Sequence, residues 1–247
     1  MYDYNIVKEN LENLLKDNNK NKPLAFIMIG LPASGKSTLI EKLKVDFGIT
    51  EVLSVDDLAE KYAKEHDLSY KSVIITNFKQ FKQEMQQKAE YIKSNKVSFI
   101  WDQVNSNKNI RQAKVGMYKN NFHVIGIAMN PTTDEMITRM INRKMYTEKD
   151  LSSGMLCEMA NLFSQPTLDE GFKEILIVGK EIVRLSENPD FIFNKLDLSK
   201  ANMDKQLVER GLYEEFYERY NQNREKTAVL KEKAIAIKQN NKNYKNN

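Results

Sequence analysis

Ile29-Gly30-Leu31-Pro32-Ala33-Ser34-Gly35-Lys36-Ser37-Thr38 is the stretch on which the reading of this chain turns. Gly30 and Gly35 bracket four residues and Lys36-Ser37 follow, which completes the pattern G-x-x-x-x-G-K-[ST]. An apolar run, Leu24 to Ile29, precedes it, and an amphipathic stretch, Thr38 to Lys44, follows. Strand, loop and helix is the context the pattern requires. The glycines let the backbone curl until successive N–H groups face a phosphate, with the positive end of the next helix behind them. Gly30, Ala33, Ser34, Gly35, Lys36, Ser37 and Thr38 are therefore the expected nucleotide contacts. Lys36 would reach the β- and γ-phosphates of ATP, and the Ser37 hydroxyl would hold Mg²⁺.

Composition bounds the rest. Of 247 residues, 41% are hydrophobic and 29% charged, which suits one large α/β domain with a modest appendage. No apolar run reaches the eighteen or so residues a membrane span needs, so none is expected. The opening MYDYNIVKENLENLLKD is polar and acidic, unlike a signal peptide. A single cysteine, Cys157, leaves no internal disulfide and no Cys-based zinc site, and the default location is cytoplasmic. The net charge of +4 is concentrated at one end: seven Lys/Arg and two Glu between 224 and 247 put +5 there, leaving −1 for the remainder. An Asn/Lys-rich end such as IKQNNKNYKNN reads as a solvated tail.

Taken in order, the chain alternates. Residues 4–17 have helical spacing of Ile6, Leu11 and Leu14, and Pro23 separates that helix from the first strand. After the loop and its helix, Glu51 to Val55 reads as a strand and Leu58 to His66 as a helix. Phe78, Phe81, Met85, Ala89 and Ile92 mark a long amphipathic helix from Ile74 to Asn95. Val97 to Trp101 is a strand ending at Asp102, and residues 108–120 are helical. Phe122 to Met129 is a strand, Pro131-Thr132-Thr133-Asp134 opens a helix through Arg143, and Lys149–Phe163 is another. Phe172 to Val178 is expected to be the last strand. The pattern predicts an α/β fold, a parallel sheet covered by helices on both faces, over 23–180. An N-terminal helix (1–22) would precede it and a helical extension (181–247) would follow.

In such sheets, ligands gather at the carboxyl ends of the strands. Asp56-Asp57 follow the second strand and Asp102 ends the third, so the acids at both strand ends should lie near the loop. A hydroxyl acceptor of a phosphoryl group needs a base, and an Asp supplies it in the kinase template. Helix N-capping is the other reading of Asp56 or Asp57. Arg139 and Arg143, four apart, share one helix face and could neutralise a transferring phosphoryl group, or form an ordinary basic surface.

This motif set resembles the kinase domain of the polynucleotide kinase family, which phosphorylates 5′-hydroxyl ends of DNA or RNA. The likeness covers Leu24 to Val178. It rests on the phosphate loop, the Asp56-Asp57 step, Asp102-Gln103-Val104-Asn105, Arg139-x-x-x-Arg143 and the segment Phe163 to Phe172, F-x-x-P-T-L-x-E-G-F. The resemblance implies a P-loop kinase fold, ATP·Mg²⁺, Asp56 as general base, Arg139 and Arg143 as lid arginines, and nucleic acid as the substrate. Asp102, Asn105, Asp57 and Lys61 would serve the acceptor side. Two features depart from the family. Viral members carry an arginine three residues after the base, where this chain has Ala59, with Lys61 the nearest basic residue. A D-x-D-x-T/V phosphatase motif behind an apolar strand is missing. The expected function is transfer of the ATP γ-phosphate to a polynucleotide hydroxyl, with hydroxymethylated DNA bases, nucleosides or small molecules as alternative acceptors. A nucleotide-dependent binding module is the alternative from another class.

Overall fold

A computed structural model describes residues 2–16, 22–147 and 153–222, together with 225, 226 and 229. The Lys/Asn-rich tail and the start of the helix expected from Lys149 lie outside the described residues. Eight α-helices and six strands are assigned among those described: α1 (Tyr4–Lys16), β1 (Leu24–Ile29), α2 (Lys36–Asp46), β2 (Glu51–Leu53), α3 (Val55–Glu65), α4 (Tyr70–Asn95), β3 (Phe99–Trp101), α5 (Lys108–Tyr118), β4 (His123–Asn130), α6 (Thr133–Tyr146), α7 (Ser153–Asn161), β5 (Glu174–Gly179), β6 (Ile182–Arg184) and α8 (Lys200–Glu209). Residues 213–222 are also helical.

The strands form one sheet in the order β2-β3-β1-β4-β5-β6. β1 lies between β3 and β4, both parallel to it, and is buried along almost its whole length. Its side chains alternate between two cores, as a strand covered on both faces must. Ala25, Ile27 and Ile29 pack with Phe99, Trp101, Phe81 and Val115 on the side of α3, α4 and α5. Phe26 and Met28 pack with Leu11, Leu39, Leu43 and Leu176 on the side of α1 and α2. The expected parallel α/β sheet is present, with one correction at its edge. Phe172–Val178 was expected to supply the final strand, but β6 follows β5 in a tight antiparallel hairpin, with Ile177 opposite Val183. Only three residues long and preceded by Lys180-Glu181, β6 carries too little apolar pattern to stand out in the sequence. Gly179 makes the turn possible beside β4, because a Cβ there would lie 2.5 Å from the Asn130 carbonyl oxygen.

A third core lies beyond the sheet. Met136, Ile137, Met140, Ile141 and Met145 of α6 pack with Leu156, Met203, Leu207 and Phe216. Polar contacts join the same pieces: Gln206 donates to Asp134 at 2.8 Å and Arg210 to the Thr138 hydroxyl at 2.7 Å. The Lys144 ammonium sits 3.8 Å from the Tyr220 ring centroid. The segments after residue 198 thus back the helix that carries both arginines. No helix among the described residues is long and apolar enough to cross a membrane.

Candidate active site

The loop between β1 and α2 has the backbone its sequence demands. Gly30 and Gly35 sit at φ +154° and +102°, and a Cβ on Gly30 would lie 2.7 Å from the Ser34 hydroxyl oxygen. Ala33, at φ +67°, occupies the left-handed region without being glycine, a strain of about 1 kcal/mol that functional loops often carry. α2 begins at Lys36, so its first amides have no acceptor within the helix and are open to an anion. Ser37 and Thr38 are exposed at that end. Ser34 is 1% exposed and its hydroxyl has no hydrogen-bond partner among the described residues.

Lys36 is buried and folds back on the loop, donating to the carbonyl oxygens of Gly30 at 2.8 Å and Leu31 at 3.0 Å. Burial brings its pKa down to about 8, with Arg143 adding to the fall and Asp102 and Asp56 opposing it. One ammonium therefore feels two acids and an arginine from three separate elements. The Asp102 carboxyl is raised, first by burial and then by Asp57 and Asp56, with Lys36 acting against them. Its backbone N–H donates to the Leu53 carbonyl at 3.0 Å, tying the ends of β2 and β3 together at the mouth.

Ser54, not an aspartate, caps α3: its hydroxyl accepts from the Asp57 N–H at 3.1 Å. The capping reading of Asp56 and Asp57 is thereby removed, and α3 starts three residues earlier than its apolar pattern suggests. The Tyr70 hydroxyl donates to Asp56 Oδ1 at 2.8 Å. Tyr70 was not singled out from sequence; it opens α4 fourteen residues after Asp56, and only the folded connection 66–69 brings them together. Burial and Asp56 raise the Tyr70 pKa well above its usual value, so the phenol stays a donor.

Arg139 lies on the other side of the loop, its Nη1 donating to the Ser34 carbonyl at 2.8 Å. A capping box, Thr132 with Glu135, starts α6 and so fixes where Arg139 and Arg143 emerge. Oxygen donors suit Mg²⁺, which keeps few protein ligands when phosphates supply the others. The exposed Ser37 hydroxyl fits that role. No cluster of three or more acidic, His or Cys side chains among the described residues offers an all-protein cage.

The AAA domain family matches residues 26–166, more than half of the chain. The chain belongs to that family. No curated protein matches its sequence. Among solved structures, this AAA domain resembles AvrRxo1-ORF1:-ORF2 with ATP at 13% identity and TM-score 0.51, over 77% of this chain and 64% of that one. It is also similar to a structure from the PezAT toxin-antitoxin system of Streptococcus pneumoniae, at 15% identity, TM-score 0.49 and 90% and 95% coverage. A gluconokinase from Sinorhizobium meliloti 1021 matches at 14% identity, TM-score 0.40, with 78% and 97% coverage. Identities this low speak to the fold alone; the family match and the mostly parallel six-stranded sheet are those of a P-loop kinase-like fold.

Two sequence-predicted acceptor residues of the AAA domain, Asn105 and Lys61, are placed differently from expectation. Asn105 is 3% exposed; its amide donates to the Met28 carbonyl at 2.6 Å and its side-chain oxygen accepts from Lys114. It shapes the loop after β3 and is not open to an acceptor. Lys61 has a side chain 74% exposed and lies 3.9 Å from Glu65. Ala59, where viral polynucleotide kinases have arginine, is fully buried in the core beneath α3. Asp57 is exposed beside Asp56 at the mouth. The F-x-x-P-T-L-x-E-G-F segment also acquires a physical meaning. Glu170 takes two hydrogen bonds, 2.7 and 2.6 Å, from a fully buried Arg111. Arg111 Nη1 reaches the Asn105 and Ser164 carbonyls at 3.1 and 3.0 Å. Phe172 packs over Gly126 of β4, where a Cβ would come within 3.3 Å of its ring.

Proposed function

We propose that this chain is an ATP-dependent phosphotransferase whose acceptor is a hydroxyl of a polynucleotide, with a 5′ end of DNA or RNA preferred. Residues 23–180 would form the kinase domain, and 1–22 and 181–247 would be helical additions to it. The observation that carries the reading is Asp56, held through Oδ1 by Tyr70, its charge felt by the loop lysine Lys36. A nucleotide switch has no use for a carboxylate oriented in this way. Asp56, oriented through Oδ1, would take the acceptor's proton as the hydroxyl oxygen attacks the γ-phosphorus in line. Lys36 would leave the Gly30 and Leu31 carbonyls to bind the β- and γ-phosphates. The open amides of α2 would cradle the remaining phosphate oxygens. Arg139, already on the loop backbone, and Arg143 would neutralise the charge that develops on the transferring group. Ser37 would hold Mg²⁺, whose charge would offset that of the phosphates. Asp102 and Asp57 would line the acceptor side.

One observation favours a second acceptor class. The buried Ala59 and the outward Lys61 leave the expected grip on an acceptor phosphate unmade on α3. A hydroxyl without a neighbouring phosphate, on a modified base, a nucleoside or another small molecule, needs no such grip. The test is transfer from γ-labelled ATP to 5′-hydroxyl DNA and RNA oligonucleotides, end-blocked DNA carrying internal hydroxymethylpyrimidines, and free nucleosides. Label at 5′ ends is expected, and label only on bases or nucleosides would replace the acceptor. Asp56→Asn should lower transfer by roughly 10²- to 10⁴-fold with ATP affinity retained. Transfer at the wild-type rate in that variant would remove Asp56 as base.

A further inference from the structure

We propose that Lys114 is a positioning residue: its ammonium clamps the loop from Trp101 to Asn105 and thereby aims Asp102 into the site. The catalytic meaning rests on the phosphotransferase reading; the clamp itself does not. Lys114 projects from α5 into the core and is 7% exposed. Its Nζ donates to the side-chain oxygens of Gln103 and Asn105 and lies 4.5 Å from the centroid of the Trp101 ring. Residues 101, 103 and 105 thus converge on a single nitrogen, and Asp102 stands between two of them. The loop is also fastened from the opposite side. Asn105 donates to the Met28 carbonyl of β1, and the Gly30 N–H donates to the Val104 carbonyl at 3.0 Å. The phosphate loop and the acceptor loop share these bonds, and Lys114 closes the set.

The chemistry of the clamp is unusual for a lysine. A buried cation ordinarily pairs with a carboxylate, because desolvation is otherwise too costly. Every partner of Lys114 among the described residues is an amide oxygen or an aromatic face. The charged groups around it are engaged elsewhere: Arg111, one turn back on α5, with Glu170, and Asp102 with Lys36. On α4, Glu84 accepts from Gln80, Lys88 pairs with Glu51, and Glu90 acts on Tyr118. Burial, with no opposing acid, brings Lys114 down to about 7. Simple packing would be served as well by Met, whereas holding two carbonyl-type oxygens and a π face together needs a cation.

Trp101 is the chain's single tryptophan, so its emission reads the clamp directly. The experiment titrates Trp101 fluorescence in the full chain from about pH 5.5 to 9.5, for wild type, Lys114→Met and Lys114→Arg. Circular dichroism confirms that each variant is folded. A single transition near neutrality is expected in wild type. It should vanish in Lys114→Met, and Lys114→Arg should hold the low-pH signal throughout. In parallel, transfer from ATP to a 5′-hydroxyl oligonucleotide and hydrolysis of ATP by water are followed. The value of kcat/KM for the oligonucleotide should drop about tenfold in Lys114→Met with the KM for ATP within about twofold, as loss of one charge-assisted bond implies, and Lys114→Arg should restore it. A flat wild-type titration, or one unchanged in Lys114→Met, would overturn the clamp. Should wild type fail to label the oligonucleotide, the acceptor reading falls, while the fluorescence titration still decides the clamp.

Discussion

Arg111→Met is the substitution whose cost can be worked most fully from the structure. The guanidinium and the Glu170 carboxylate are both sealed from solvent and meet through two short bonds. The remaining N–H groups serve the carbonyls of Asn105, Ser164 and Gln165. Methionine fills most of the volume but leaves Glu170 buried with only the Thr167 N–H, at 3.0 Å, and the Thr167 hydroxyl, at 3.4 Å, as donors among the described residues. Breaking one half of a buried pair costs about 3–5 kcal/mol, and the orphaned carbonyls keep the estimate at the upper part of that range. With a urea m value of about 3 kcal/mol per molar, the midpoint should fall by more than about 1 M. The decisive comparison is the double variant Arg111→Met/Glu170→Met. Removing both charges lifts the penalty on the survivor, so the double variant should be at least about 2 kcal/mol more stable than the sum of the single losses. Urea unfolding followed by far-UV circular dichroism measures all four proteins. A loss below about 1 kcal/mol in Arg111→Met, or strict additivity in the cycle, would refute the argument that this pair pins α5 to the segment before β5.

Tyr70→Phe removes the hydrogen bond that orients Asp56; kcat should fall about three- to tenfold with the KM for ATP unchanged, and an unaltered kcat would show that Asp56 is held by other means. Lys36 makes stability depend on pH. Its folded pKa lies below the unfolded value, so between about pH 8 and 10.5 the unfolded state binds more protons and stability rises with pH. The full effect is of order 3 kcal/mol, and Lys114 adds to the same rise from about pH 7. Tyrosines such as Tyr118, raised to about 12, reverse the trend above pH 10. Thermal unfolding of the nucleotide-free protein at about pH 7 and 9.5 should show the increase, and Lys36→Met should reduce it; a flat profile would contradict the burial of both lysines.

What the sequence made legible is the part governed by local rules. The phosphate loop sits between β1 and α2 because glycine spacing and apolar periodicity are contiguous signals. The start of α6 was readable from Pro131-Thr132-Thr133-Asp134 for the same reason. The remainder depends on contacts between distant residues. Arg111 and Glu170 are 59 positions apart, and neither looks unlike an ordinary surface charge in the sequence. Tyr70 reaches Asp56 through a turn whose path no periodicity records. Ser54 outcompeted two aspartates for the cap because it precedes the helix by one residue, a distinction within the uncertainty of any boundary drawn from apolar spacing. Asn105 resembled a substrate ligand because it follows Asp102 beyond the strand, but its left-handed backbone, φ +50°, turns the amide inward toward Met28.

The helix bearing Arg139 and Arg143 is not a free-standing flap. α6 shares its apolar face with α7, α8 and Phe216, and this group touches the phosphate loop through Leu31 and Ala33. On the proposed reading, an approach of the arginines to a bound nucleotide would carry the helices packed against α6 with it. The reach of the two arginines would then depend on residues far along the chain, at 203, 207 and 216.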